Sequence, residues 1–322
     1  MLNRRLIRIK AFKTLYAHVY SGGESVDAAV KNLMKACDMT PELYYFMLNI
    51  TGSVTRIARE RIETGLRKFH PTAEEASPSY RFVKNRFTAL LQSDPEFGKF
   101  CQNHALSWAE HDVYIKKLTA SILSSDYYRE YITSDEDSFE ADCLLWRRIF
   151  EEEFEDDPML ESIIEERSAF WLDDICYVLN VIIRAINDQV AASRRSGLES
   201  LDQVMGKRAF LQPDDKAFAR ELLEESIAGF DEYSQLIHSK VENWDSQRLV
   251  STDMVLMVMG IAEAVHFPSI PVKATINEYV EISKFYSTAN SHVFVNGILD
   301  KVIKEKIASG EIVKIKEEMM QF

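Results

Sequence analysis

Five basic residues crowd the first half of one predicted helix: Arg4, Arg5, Arg8, Lys10 and Lys13, with no acidic residue before Glu24. Tyr16 and Tyr20 follow on the same segment. Guanidinium planes make paired hydrogen bonds to phosphate and stack on unpaired bases, and tyrosine rings add stacking surface. The chemistry this set suits is therefore the binding of single-stranded RNA. Arg5 and Arg8 lie on the face of Phe12 and Leu15 and extend the apolar stripe of Ile9, Phe12, Tyr16 and Val19 toward the N-terminus. That spacing predicts guanidiniums that emerge at the edge of a domain. The competing reading is a solvated basic surface, with Lys10 and Lys13 as ordinary exposed positions.

No catalytic constellation accompanies this cluster. Gly206-Lys207 lacks the preceding glycines of a phosphate-binding loop, and no GxSxG elbow occurs. His104 and His111 could share a helix face, but no ligand set in metal-site spacing surrounds them. Cys37, Cys101, Cys143 and Cys176 form no CxxC pair and read as reduced thiols of a cytoplasmic protein. Neither an enzyme nor a bound metal or cofactor is expected.

The elements that must carry these residues are helical almost throughout. Only 11 glycines and 8 prolines occur in 322 residues, and apolar positions recur at helical rather than alternating spacing, which predicts an all-α fold. The opening helix spans about Arg4 to Tyr20. A second follows from Val26, and a longer one runs from about Pro41 to Phe69. The stretch from Asp135 to Asp174 is the most acidic, yet Phe139, Leu144, Leu145, Ile149 and Phe150 recur regularly enough to predict acidic helices with one buried face. An apolar helix from Trp171 to Val190 ends at Arg194-Arg195-Ser196-Gly197, and a linker covers Leu198 to Pro213. Met254 to Ala262 is nearly uncharged and must be buried all round. Three places where tryptophan and aspartate stand close together, at Trp108, Trp171 and Trp244, hint at a faint repeat. The net charge of −13 argues against a uniformly basic surface but leaves room for a local basic patch. No run of about 18 uncharged apolar residues suggests a membrane span.

The C-terminal stretch is the most patterned. Ile270-Pro271, Lys273, Ile276-Asn277-Glu278 and Val280-Glu281 lead through a polar turn to Phe294-Val295-Asn296-Gly297 and Leu299-Asp300-Lys301. This order resembles the NusB transcription-antitermination family. Trp244, Arg248, Leu249 and Asp253 are similar to residues that the family places ahead of a buried helix, and Arg4 to Tyr16 is similar to its arginine-rich opening. The chain departs from the family pattern at Leu6, Ile7 and Ile9 and at Met257-Val258.

The resemblance implies a NusB-like helical bundle from residues 1–37 and 214–306, a helical insertion at 38–213 and a C-terminal tail at 307–322. It implies a cytoplasmic, non-enzymatic factor in transcription of ribosomal RNA. Such a factor binds boxA-like single-stranded RNA together with a small-subunit ribosomal protein, within an antitermination complex on RNA polymerase. By the same similarity Arg4, Arg5, Arg8, Lys10 and Lys13 are the RNA-binding residues, with Tyr16 added to the set for its stacking ring, while Asn277, Glu278, Asn296 and Asp300 are read mainly as structural. The alternative is a scaffold whose acidic insertion docks a basic partner. Gly297, in the middle of a packed face, predicts a close helix crossing, with the opening helix as its partner.

Overall fold

Asn3 begins the fold by accepting a hydrogen bond from the Leu6 backbone at 2.8 Å, which caps α1 (Arg4–Tyr20). The computed structural model describes residues 2–22, 25–198, 212, 214–241 and 250–315. Trp244, Arg248 and Leu249 lie outside the described residues, as does most of the expected linker. Among the described residues there are fifteen α-helices and no β-strand. The chain forms two units, Leu2–Cys37 with Phe210–Phe322, and Asp38–Ala209.

The helix after α1 corrects an expectation. The sequence places a break before Pro41, but α2 runs unbroken over Val26–Leu66 with the proline inside it. An interior proline removes one helix hydrogen bond and crowds the preceding turn. Here the neighbouring turn is held from outside: Trp171 Nε1 donates to the Met39 carbonyl at 2.9 Å, and Thr40 Oγ1 donates to Asp174 at 2.5 Å.

The inserted unit continues with α3 (Ala73–Ala76), α4 (Arg86–Ser93), α5 (Pro95–Asn103), α6 (Asp112–Ser124), α7 (Asp126–Thr133), α8 (Phe139–Glu152), α9 (Pro158–Arg167) and α10 (Ile175–Ser196). Its core is aromatic. Phe46 of α2 stacks on Trp108 at 4.1 Å between ring centres and lies 5.2 Å from Trp171. The Trp108 indole donates to the Phe46 carbonyl at 2.8 Å, so its one polar atom is satisfied inside the core. Buried Asp142 of α8 accepts from Tyr131 Oη at 2.6 Å and from the Arg86 backbone at 2.9 Å, fixing the start of α4. By length and composition α10 could cross a membrane. It is nevertheless two-faced: Val178, Ile182, Ile186 and Val190 are buried, whereas Cys176, Asn180, Arg184 and Asp188 are exposed. Gly197 takes a left-handed conformation, φ 68°, and closes the helix.

The second unit is completed by α11 (Asp215–Ala228), α12 (Phe230–Val241), α13 (Ser251–His266), α14 (Val272–Tyr286) and α15 (Ser291–Ala308). Every residue of α13 from Asp253 to Ala264 is buried, and α1, α11, α12, α14 and α15 pack around it. The close crossing expected at Gly297 is not there. Gly297 is exposed, and α1 packs on α11 and α13. The tight approach is instead at Gly260 of α13, where an added Cβ would stand 2.9 Å from a Leu299 methyl and 3.3 Å from the Tyr279 ring. The segment after α15 also belongs to the packed unit: Ile312 is buried, and the Ile315 backbone donates to Pro268 O at 3.1 Å.

Candidate nucleic-acid interface

The three arginines of α1 hold the fold together. Arg4 pairs with Asp214 at 2.7 Å and Asp215 at 3.3 Å, both at the start of α11, and lies 5.0 Å over the Phe218 ring. Arg5 grips Glu278 of α14 through two hydrogen bonds of 2.8 Å. That contact raises the Arg5 pKa and lowers the Glu278 pKa, the hydrogen bond being the main cause in each.

Arg8 contradicts the predicted emergence at a domain edge. It is buried and forms a two-pronged pair with Glu263 of α13 at 2.6 and 2.8 Å. Glu263 is fully buried and also accepts from Thr275 Oγ1 at 2.8 Å and Tyr279 Oη at 3.1 Å. Burial disfavours the Arg8 charge, but the Glu263 hydrogen bonds and charge outweigh it and leave the guanidinium pKa raised. The register that was to lift Arg8 to the rim instead aims it inward, because α13 offers a carboxylate at the point where the apolar stripe ends. Lys10 is likewise buried, at 6% exposure, and is no ordinary surface position.

Apart from Arg5, which is exposed but paired with Glu278, the accessible chemistry of α1 sits in its second half. Lys13 is exposed, with its ammonium 5.3 Å from the Tyr286 ring of α14. Tyr16 is half-buried, its ring 5.0 Å from Tyr20 and 6.3 Å from Phe12, and its hydroxyl is 3.2 Å from Ser251 Oγ at the start of α13. Tyr20 is 48% exposed, and partial burial followed by the neighbouring Tyr16 raises its pKa, which keeps it a neutral ring. Tyr286 packs 5.6 Å from Phe12, and the preceding Phe285 is 82% exposed.

Hydroxyls border this strip. Thr252 and Ser287 are 2.9 Å apart, Ser287 donates to Ser291 at 3.0 Å, and Ser291 donates to Asp253 at 2.8 Å. Asp253 is buried with its other carboxylate oxygen unpartnered among the described residues, and burial raises its pKa despite the serine hydrogen bonds. The structure thus brings Lys13 and Tyr16 together with Tyr286, Ser251 and Ser287, which the sequence did not single out as site residues. It commits Arg4, Arg5 and Arg8 to ion pairs. Of the residues read as structural, Glu278 is in an arginine pair and Asp300 pairs with Lys304 at 2.7 Å, while Asn277 and Asn296 are exposed.

An all-helical unit built on a buried central helix, with an exposed cation-and-aromatic strip on its first helix, defines a class of small helical domain. The family model described as NusB family matches residues 177–304, which begins on α10, upstream of the expected boundary at 214. Three similar proteins bear the name transcription antitermination protein NusB. That of Myxococcus xanthus is 36% identical over 115 residues, 36% of this chain and 82% of the relative. That of Thermodesulfovibrio yellowstonii is 39% identical over 94 residues, 29% of this chain and 62% of the relative. That of Methylacidiphilum infernorum is 40% identical over 95 residues, 30% of this chain and 66% of the relative. In the last two the chain spans just under two thirds of the relative's length. No solved structure matches. The chain belongs to the NusB family.

Proposed function

We propose that this protein is a non-catalytic, RNA-binding transcription antitermination factor. In this reading it holds boxA-like RNA of nascent ribosomal transcripts together with a small-subunit ribosomal protein, within an antitermination complex on RNA polymerase. The observation that carries it is the strip of Lys13, Tyr16 and Tyr20 bordered by Tyr286 and the Ser287–Ser291 turn. It offers one cation for phosphate, several rings for stacking, and hydroxyls that can both donate and accept at base edges. Its relatives are named for antitermination, which supports the same reading.

Arg4 and Arg5 contribute indirectly by docking α1, with Arg5 about half exposed and near enough to the surface to add phosphate attraction. Arg8 contributes through the fold alone. The test is binding of boxA-like and scrambled RNA, each with and without the small-subunit ribosomal protein. The reading expects preference for the boxA-like strand and tighter binding with the protein present. Replacing Lys13 and Tyr16 by alanine should weaken binding by about tenfold or more, in line with roughly 1–3 kcal/mol per lost base stack, and should flatten the salt dependence. Equal binding of both RNAs, or unchanged affinity in the double variant, would remove this face from the site.

A further inference from the structure

The inserted unit is acidic, with 31 Asp and Glu against 20 Lys and Arg over residues 38–209. Its basic residues are unevenly placed. Arg56, Arg59, Arg61, Arg67 and Lys68 fall within the last turns of α2 and just beyond, with only Glu60 and Glu63 between them. There a cleft of about 370 Å³ opens between α2, α3 and α6, lined by Arg61, Thr64, Lys68 and Lys116 together with Glu60 and Glu75.

The carboxylates of this cleft are already neutralised. Glu60 pairs with Arg56 at 2.7 Å and Glu75 with Lys68 at 2.5 Å. Lys116 pairs with Asp112 at 2.7 Å, and Asp112 also accepts from Arg56 at 3.0 Å. Arg61 is the exception. It is exposed, lines the cleft, and makes no hydrogen bond or ion pair among the described residues. One positive charge is left over, and it rests on a guanidinium whose geometry suits a phosphate. Directly after Lys68 stands Phe69, which is 93% exposed and meets the neighbouring His70 ring edge-on at 4.7 Å. A guanidinium that can fork a phosphate, with a bare ring one residue past the cleft-lining Lys68, supplies the two contacts that a nucleotide unit uses: charge for the backbone, ring for the base. Because the cleft is open to solvent, and the rest of the unit carries excess negative charge that repels a polyanion, a strand would be confined to this patch.

We infer that the α2–α3–α6 cleft is a second contact for single-stranded nucleic acid, with Arg61 holding a phosphate and Phe69 stacking a base. It goes beyond the α1 face in location and shares with it only the class of ligand.

The test uses the full chain with a fluorescent 12-nucleotide oligouridine, reading both affinity and the position of ultraviolet cross-links. Arg61→Ala with Phe69→Ala should weaken binding about tenfold and abolish cross-linking to the peptide that contains Phe69. Lys13→Ala with Tyr16→Ala should leave that cross-link in place. Arg61 and Phe69 are both exposed, so the circular-dichroism melting curve should not move, and Arg61→Lys should restore part of the affinity. Unchanged affinity and cross-linking in the cleft variant would overturn the inference while leaving the α1 reading intact. Loss of effect in the α1 variant with the cleft cross-link preserved would sink the α1 reading and leave this one standing. Arg61-dependent binding of uridine monophosphate or inorganic phosphate without binding of the oligonucleotide would reduce the cleft to a small-anion site and overturn the assignment.

Discussion

The two units solve the same problem, packing helices of a strongly charged chain, with opposite chemistry. The unit around α13 puts charge in its centre: Arg8 and Glu263, 255 residues apart in sequence, meet in a site closed to water. The inserted unit puts aromatic rings there, with Phe46 packed against both Trp108 and Trp171, and leaves most of its charges outside. A ring cluster accepts many partners of similar volume, whereas a buried ion pair accepts one register. The unit around α13 must bring α1, at one end of the chain, onto helices from the other end. A pair that is costly unless matched is suited to that selection.

The sharpest way to break the comparison is at Glu263. Replacing it by alanine strands Arg8 without a counter-charge, and breaking a buried pair costs about 3–5 kcal/mol. Denaturant unfolding should show that loss, while Arg8→Met combined with Glu263→Leu should recover most of it. If the single variant unfolds like wild type, the pair does not organise the unit. In the aromatic core the expected effect is smaller. Trp171→Phe keeps much of the ring but removes the hydrogen bond to the Met39 carbonyl beside Pro41, at a cost of about 1–2 kcal/mol. An unchanged unfolding midpoint would show that the proline turn needs no outside support.

Two pH effects separate buried from exposed charge further. Burial raises the Asp253 pKa, so its contribution to stability is full below the ordinary carboxylate range and declines as pH rises through the raised value. Asp253→Asn should abolish that decline, read as a flatter plot of unfolding midpoint against pH. Glu278 has the reverse sign, since Arg5 lowers its pKa. Its stabilisation is present above the ordinary carboxylate range and is lost as pH falls through the lowered value. Arg5 is about half exposed, so solvent screening should keep the effect of Glu278→Gln below about 1 kcal/mol. An acid-side slope as steep in the variant as in wild type would exclude the pair as its source.

Much of this was legible beforehand in particular residues. The nearly uncharged run from Met254 predicted a helix buried on every side, and α13 is that helix. Ser287 to Ser291 read as a polar turn; Ser287 to Asn290 separate α14 from α15, and Ser291 already opens α15. The site was harder to read, because helical spacing says which residues share a face but not what that face meets. Arg8 and Lys13 look equivalent along α1, yet one is buried and the other exposed. One signal was available: Glu263 is a lone carboxylate at the end of an apolar helix, and a buried carboxylate demands a cation. Tyr286 gave no such hint, since its place beside Phe12 depends on how α14 lies against α1. Pro41 misled for the opposite reason. Its local rule is sound, but Trp171 and Asp174, more than 130 residues away, support the turn it weakens.

The sequence by itself determined the helical class, the family pattern at the C-terminal end, and the concentration of base-binding residue types on the first helix. Each of these is a local property of composition, period or order. Tertiary structure alone decided which cations are spent on the fold and which face outward, and which glycine takes the close crossing: Gly260 rather than Gly297. Those outcomes depend on distance between residues remote in the chain, where a carboxylate a few ångströms away turns a potential RNA contact into a structural bond.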